Sequence, residues 1–170
     1  MSKSVERRPL TFDCLQDSVS EIHRLNESGY AKAGNWDLAQ MCQHLSKSMR
    51  IAIEGAPFRL PFFLQPVARW MLYDTVMQGR RTRLPLITAP QFRPDASPNA
   101  EAEIAEYETL VNAVTADDAV LLPDHPLFGT VTPEYWHKFF AWHAAHHLSY
   151  LIPHEQERDE KEGDGRLSAS

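Results

Sequence analysis

The sequence predicts an all-α protein, a four-helix bundle with a long proline-rich connection between the second and third helices. Two observations favour this fold class. In four segments the apolar residues recur at intervals of three and four, and no segment shows the alternation typical of half-buried strands. Between about residues 56 and 97 this pattern breaks, because prolines at 57, 61, 66, 85, 90 and 94 interrupt the chain.

The first helix is predicted to begin at Asp13. Asp13 and Gln16 have the spacing of a capping box, with a carboxylate in place of the usual hydroxyl. Gly29 is the expected terminator, because glycine readily adopts the backbone conformation found after a helix. The core-facing stripe consists of Leu15, Val19, Ile22 and Leu25.

The second helix is predicted to follow Asp37 as its N-cap, with Gln40 completing a capping box. Trp36 and Met41 are expected to form a hydrophobic staple at its start. The apolar stripe consists of Leu38, Met41, Cys42, Leu45, Met49 and Ala52. His44 lies about 100° from the centre of that stripe. Taken alone, it is predicted to be a boundary histidine bonded to a neighbour.

The long connection has room for one helix, from about Gln65 to Gln78. The residues expected to pack from it are Val67, Trp70, Met71 and Val76. Four aromatic residues are predicted to close one end of the bundle, form a pocket wall or make a dimer surface: Phe58, Phe62, Phe63 and Trp70. A basic cluster is more typical of a solvated loop than of a site for an acidic group: Arg80, Arg81 and Arg83.

The third helix is predicted to open at Ser97-Pro98. Its apolar stripe consists of Ile104, Tyr107, Leu110, Val111 and Val114. An ordered loop with two prolines and a glycine then runs from Leu121 to Thr130. In this loop His125 is either a site residue at the mouth of the bundle or a turn residue bonded to its own backbone.

The last helix has a clear start signal, with Thr132 as N-cap and Pro133 at the first helical position. At about 100° per residue, one face carries Trp136, Phe140, His143, His147 and Tyr150. His143 and His147 are one turn apart, so their nitrogens can converge on one metal ion. His146 is a geometric alternative to His147, but it leans towards the flank of this face.

Length, charge and cysteine content bound the class of protein. With 170 residues we expect one domain at residues 10–153, between a flexible arm at 1–9 and a disordered charged tail at 154–170. Two cysteines without a CxxC pair and a polar start predict a cytoplasmic protein. We expect no membrane contact, because no apolar run approaches a membrane span. The net charge of −6 argues against a nucleic-acid partner.

A third histidine completes a candidate metal site. His44 on the second helix, facing His143 and His147 on the last, would supply three neutral nitrogens and leave coordination positions open, as in catalytic sites. We expect zinc or nickel, with iron or manganese as alternatives. His146 and His125 are the candidate catalytic proton carriers. Gln40, Ser48 and backbone carbonyls are the local candidates for orienting the ligands. The other histidines, His23, His137 and His154, are predicted to lie outside the site.

The histidine segments resemble a known family. The stretches Gly34-Asn35-Trp36-Asp37-Leu38-Ala39-Gln40 with His44-Leu45, His125-Pro126 with Phe128-Gly129, and Trp142-His143-Ala144-Ala145-His146-His147 are similar to the DinB/YfiT-like superfamily of metal-dependent enzymes. The resemblance covers about residues 10 to 152. It implies a four-helix bundle with a divalent metal on His44, His143 and His147, and it implies thiol S-transferase or hydrolase activity.

These observations predict a metal-dependent enzyme acting on a small molecule, as a hydrolase or as a thiol transferase with a low-molecular-weight thiol. We expect the open side of the metal to face a pocket covered by the proline-rich segment, with Phe58, Phe62, Phe63 or Trp70 on its wall. A homodimer is compatible with this arrangement. The alternatives are a metal-binding or stress-response protein without turnover, and a helical interaction module whose histidines are incidental.

Overall fold

The computed structural model describes residues 6–80 and 89–154, and within these ranges the chain is mostly helical. The α-helices are α1 (Gln16–Ser28), α2 (Leu38–Glu54), α3 (Gln65–Met77), α4 (Ala100–Thr115) and α5 (Pro133–Leu148). The strands are β1 (Tyr30–Lys32), β2 (Asp124–His125), β3 (Gly129–Thr130) and β4 (Leu151–Pro153), and a 3₁₀ turn covers Pro90–Phe92. In the part of the chain that is described, no helix is long and apolar enough to cross a membrane.

The start of α1 differs from the prediction. The helix begins at Gln16 rather than at Asp13, and no side chain caps it. The predicted capping box is absent because Asp17 takes its place: the Asp17 carboxylate accepts hydrogen bonds from the backbone N–H groups of Asp13 and Cys14, at 3.0 and 3.1 Å. Gly29, with a φ of 69°, follows the last residue as predicted.

The capping box of α2 is confirmed. The Asp37 carboxylate accepts from the backbone N–H of Gln40 at 2.8 Å, and the Gln40 side chain accepts from the backbone N–H of Asp37 at 3.1 Å. This start sets the rotation of α2, which packs most extensively against α4 and also against α5. His44 is buried rather than at a boundary, because the Pro90–Phe92 turn and α5 cover its side of α2.

The helix predicted in the connection is confirmed as α3, but its packing face was predicted wrongly. Val76 is buried, whereas Trp70, Val67 and Met71 are 84%, 52% and 48% exposed. The residues that pack against the core are instead Ala68, Leu72, Tyr73 and Met77. Apolar residues occur on both faces of this helix, so periodicity could not decide which face would meet α5.

The two remaining helices follow the predicted stripes. α4 begins at Ala100 and not at Ser97-Pro98, because the Asn99 side chain caps it by accepting from the backbone N–H of Ala102 at 2.9 Å. Its predicted apolar residues are all buried. The Thr132 hydroxyl caps α5 as predicted, accepting from the backbone N–H of Tyr135 at 3.2 Å.

The loop before α5 is a small hairpin in which β2 pairs with β3. The backbone N–H of Leu60 donates to the Pro126 carbonyl at 2.8 Å, which ties the hairpin to the long connection. Gly129 allows the close approach of this connection: its φ is 70°, and a β-carbon there would lie 2.7 Å from Gln65 Oε1. The hairpin therefore holds His125 against the N-terminal part of α5, next to Tyr135 and Trp136.

The second sheet was not predicted. β1 and β4 pair antiparallel, with Tyr30 opposite Pro153 and Lys32 opposite Leu151. Strands of three residues are too short to show an alternating pattern, and their partners are more than 100 residues apart in sequence. This sheet joins the end of α1 to the end of α5.

The predicted helical class is confirmed, with the addition of two small antiparallel sheets. The four-helix bundle stays a prediction, as does the division into arm, domain and tail. Residues 1–5, 81–88 and 155–170 lie outside the described ranges, and with them Arg81, Arg83 and nearly all of the predicted tail. Within the predicted arm, the Arg8 guanidinium donates to the Leu151 carbonyl at 2.8 Å and pairs with Glu21.

Candidate metal centre

Three imidazole nitrogens converge where α2 meets α5. His143 Nε2 lies 3.2 Å from His44 Nε2 and 3.0 Å from His147 Nε2, and the three candidate ligand atoms all lie within 4.8 Å of one another. His44 and His147 are buried, while His143 is partly exposed. The structure thus brings together the three residues predicted as metal ligands, although their role as ligands stays a prediction.

The orientation of His44 is set by its other nitrogen. His44 Nδ1 lies 2.8 Å from the backbone carbonyl oxygen of Phe92, which can only accept. Nδ1 must therefore carry the hydrogen, and Nε2 has a free lone pair aimed at the cluster. Of the groups predicted to orient the ligands, a backbone carbonyl therefore holds His44. Gln40 and Ser48 bond elsewhere: Gln40 caps α2, and the Ser48 hydroxyl donates to the His44 carbonyl.

Trp36 forms one wall of the cluster. Its ring stacks on that of His147, with centroids 5.7 Å apart, and lies tilted against that of His44 at 5.0 Å. The sequence predicted Trp36 only as a hydrophobic staple for α2, because contacts with α5 could not be read from local spacing. The two imidazoles are therefore packed and not free to rotate.

The donor set fits a divalent cation. Metal–nitrogen bonds of about 2.1 Å place the nitrogens of a tetrahedral site roughly 3.4 Å apart, close to the two shortest spacings observed. Without a cation the arrangement is poorly satisfied, since His143 Nε2 faces two imidazole nitrogens and a single N–H is donated well to only one of them. A cation in the middle would engage all three lone pairs.

The protonation state also suits a metal. Burial lowers the pKa of His44, and burial followed by the neighbouring histidines lowers the pKa values of His143 and His147 well below the ordinary value. Neutral imidazole is the form that binds metals. All three side chains therefore stay in the ligand form at neutral pH.

The cluster opens onto a cavity of about 380 Å³. Phe58 and Phe92 from the long connection line it, as do Phe139 and Trp142 from α5. The predicted cover by the proline-rich segment thus holds for Phe58. The other three aromatic residues offered as alternatives do not line this cavity: Phe62, Phe63 and Trp70 are 82%, 64% and 84% exposed.

The structure separates the two predicted proton carriers. His125 lines the same cavity, whereas His146 does not, and its Nδ1 lies 3.0 Å from an Arg7 guanidinium nitrogen. Burial lowers the pKa of His125 to about 3 and, with the charge of Arg7, that of His146 to about 4. Neither ring is protonated near neutral pH, and a catalytic role for either stays a prediction.

The remaining histidines lie outside the cluster, as expected. His137 Nε2 lies 2.9 Å from the Val114 carbonyl oxygen, and His23 pairs with Glu108. The backbone N–H of His154 donates to the Gly29 carbonyl. Of the predicted basic cluster, Arg80 is described, and its backbone carbonyl accepts from the Trp142 indole N–H at 2.7 Å.

Fold and site together define a mostly helical protein with a three-histidine cluster beside a cavity. Residues 4–154 match the family model described as "Protein of unknown function (DUF1569)". The chain therefore belongs to the DUF1569 family. No curated protein matches it. No solved structure matches it either.

This finding corrects the resemblance drawn from the sequence. The family shown is DUF1569, and nothing in the comparisons links the chain to the DinB/YfiT-like superfamily. Among the residues that carried the resemblance, His44, His143 and His147 are those that any three-histidine site on two helices would need. One histidine facing an HxxxH pair is a geometric solution for a metal and does not identify a family.

Proposed function

We propose that this protein is a metal-dependent enzyme that acts on a small molecule, with His44, His143 and His147 as ligands of a divalent ion. The observation that carries the proposal is the convergence of the three Nε2 atoms at the wall of a cavity of about 380 Å³. Three protein ligands leave coordination positions for water or substrate, and a cavity of this size admits a small molecule.

Each ligand has a defined task in this proposal. His44 is held by the Phe92 carbonyl with its Nε2 lone pair towards the cluster, and His147 is held by the Trp36 ring. Three neutral ligands leave the full charge of a divalent ion in place, so a bound ion would supply a Lewis acid that lowers the pKa of a water or thiol beside it. The wall of the cavity is mostly apolar, and electrostatic effects are stronger in apolar surroundings than in water.

Hydrolysis and thiol transfer are the two reaction types that we propose, and a low-molecular-weight thiol is the candidate co-substrate for the second. We propose zinc or nickel as the ion, with iron or manganese as alternatives, since imidazole is a ligand for several of these metals. The four-helix arrangement we propose uses α1, α2, α4 and α5, with the cluster between α2 and α5. A cytoplasmic protein without a nucleic-acid or membrane partner, and a homodimer contact through the exposed aromatics beside α3, remain part of the proposal.

The first experiment is metal analysis of protein purified without a histidine tag. We expect about one equivalent of a transition metal per chain in the wild type and loss of that metal in His143→Ala. His137→Ala is the matched control, because it removes a histidine from the same helix outside the cluster. Retained stoichiometric metal in His143→Ala would show that the ligands are wrong.

Two further measurements separate the alternatives. Circular dichroism of His143→Ala should show unchanged helix content, whereas unfolding would make the ion structural. Azide added to the cobalt-substituted protein should change its visible spectrum, because an open position accepts an outside ligand. A spectrum that azide does not change would favour a protein that binds metal without turnover. If the wild type contains no metal, the remaining alternative is a helical interaction module.

A further inference from the structure

The cavity contains a fourth imidazole, that of His125, whose hydrogen position follows from its contacts. The backbone N–H of Leu127 donates to His125 Nδ1 at 3.1 Å. A backbone N–H can only donate, so Nδ1 must be the unprotonated nitrogen. Neutral His125 therefore carries its hydrogen on Nε2.

This Nε2–H group is available to a ligand. Among the described residues, no group accepts a hydrogen bond from it. The nitrogen atom itself is not completely buried. The side chain is 2% exposed overall, and the space beside it is the cavity. Because this N–H group is open to the cavity and has no acceptor among the described residues, a ligand oxygen in the cavity can accept its hydrogen bond.

Aromatic rings fix the direction of this donor. The His125 ring stacks on Phe128 with centroids 4.4 Å apart and is held by Trp136 at 4.7 Å. Phe139 contacts both His125, edge to face at 4.8 Å, and His143, stacked at 5.3 Å. The donor and the histidine cluster thus lie against the same phenyl ring and on the same cavity, close enough for one small molecule to reach both.

The rest of the cavity wall limits what can bind. Of the described residues that line it, none is Asp, Glu, Lys or Arg. The apolar part of the wall is formed by Ile51, Phe58, Leu72, Phe92, Leu127 and Phe139. Apart from the cluster, the described side chains on the wall with polar atoms are those of His125, Ser48 and Trp142. The Ser48 hydroxyl already donates within α2, and the Trp142 indole N–H donates to the Arg80 carbonyl. Apart from a metal ion on the cluster, a charged ligand group would find no counter-charge among these described side chains.

We infer that His125 is a fixed hydrogen-bond donor that orients the substrate, and that the substrate is a small, uncharged, largely apolar molecule with a carbonyl or similar acceptor oxygen. The role in catalysis rests on the proposed function, because it places that oxygen near the metal ligands. The donor itself does not depend on a metal. Its low pKa keeps His125 neutral, so it binds an oxygen and does not deliver a proton.

A matched pair of probes tests this inference. Acetophenone and α-methylstyrene have nearly the same shape, but only acetophenone has an acceptor oxygen. In ligand-observed NMR titrations, His125→Phe should weaken acetophenone binding by about tenfold and leave α-methylstyrene binding unchanged, as expected for the loss of one buried hydrogen bond. His23→Phe is the control, because His23 pairs with Glu108 outside the cavity. Equal acetophenone affinity in His125→Phe and wild type would overturn the inference.

A second measurement is needed in case His125→Phe disturbs the packing of the cavity wall. In ¹⁵N-histidine NMR of the wild type, the His125 Nε2–H signal should shift when acetophenone binds and should not shift with α-methylstyrene. If His125→Phe loses both probes, this signal decides, and its failure to respond to bound acetophenone would reject the donor role. Failure of both probes to bind the wild type would overturn the substrate class.

The titrations are run on both metal-free and metal-loaded protein, so that the two proposals fail separately. Protein that takes up no metal but still discriminates the probes would refute the metal site and keep the donor. Protein that binds metal at the three histidines but does not discriminate the probes would refute the donor and keep the metal site.

Discussion

At the residue scale, His146 and His147 are adjacent in sequence but lie in opposite surroundings. His147 Nε2 faces His143 Nε2 at 3.0 Å, while His146 Nδ1 lies 3.0 Å from an Arg7 guanidinium nitrogen. A guanidinium beside His146 disfavours a second cation there, because like charges repel. The pair that meets His44 is therefore the HxxxH pair, His143 and His147, and not the HxxH pair, His143 and His146.

We predict that His147→Ala abolishes stoichiometric metal binding and that His146→Ala retains it. The reason is that only His147 directs a ring nitrogen at the cluster. Metal content and cobalt spectra of the two variants provide the measurement. Loss of metal in His146→Ala with retention in His147→Ala would assign the third ligand to His146.

The burial of His125 predicts a pH dependence of stability. Its folded-state pKa is about 3, below the ordinary value of 6.5, so the unfolded chain binds more protons between these values. The contribution of His125 to the free energy of unfolding is therefore fully present above about pH 6.5. It falls as the pH decreases towards 3, and at pH 5 about 2 kcal/mol has been lost. The cluster histidines act in the same direction.

Urea unfolding of metal-free protein at pH 7.5 and pH 5 checks this prediction. His125→Phe has no titrating group at this position, so it should lose about 2 kcal/mol less than the wild type between the two pH values. An equal loss in both proteins would mean that His125 is not held neutral in the fold.

At the element scale, the rotation of α2 determines whether His44 faces α5. The Asp37 and Gln40 capping box fixes where the helix begins, and His44 follows one turn after Gln40. By contrast, Asp13 makes no side-chain cap at α1, where Asp17 bonds the preceding N–H groups. The two aspartates look equivalent in sequence and differ in structure.

We predict that Asp37→Ala lowers the free energy of unfolding by about 1 kcal/mol, the usual cost of losing an N-cap. Asp13→Ala is the matched control and should change it by less than about 0.5 kcal/mol. Thermal or urea unfolding of both variants provides the comparison. A larger loss in Asp13→Ala would support the capping box that the sequence predicted for Asp13 and Gln16.

These two helix starts show what the sequence can and cannot predict. The α2 cap, the α5 cap and the stripe of α4 are local patterns, and the structure bears them out. The β1–β4 pairing, the Trp36 ring on His147 and the face of α3 depend on residues far away in sequence, which no spacing rule reports. The donor role of His125 also needed the structure, because the Leu127 N–H settles its hydrogen position.

At the scale of the whole molecule, the apolar core runs through all the helices and does not depend on the cluster. It includes Leu25 in α1, Met49 in α2, Val114 in α4 and Trp136 in α5, all at most 2% exposed. A domain of this size buries enough apolar surface to fold without a metal. The histidine cluster is therefore an addition to a stable fold.

We predict that removal of metal by a chelator leaves the protein folded, with unchanged helix content and a cooperative thermal transition at a lower temperature. The expected loss is the binding linkage alone, about 2.7 kcal/mol when free metal had been present at 100 times its Kd. Adding back zinc should restore the transition in wild type but not in His143→Ala. Unfolding of the wild type on chelation would place the ion among structural sites, in which metal binding and folding are one event.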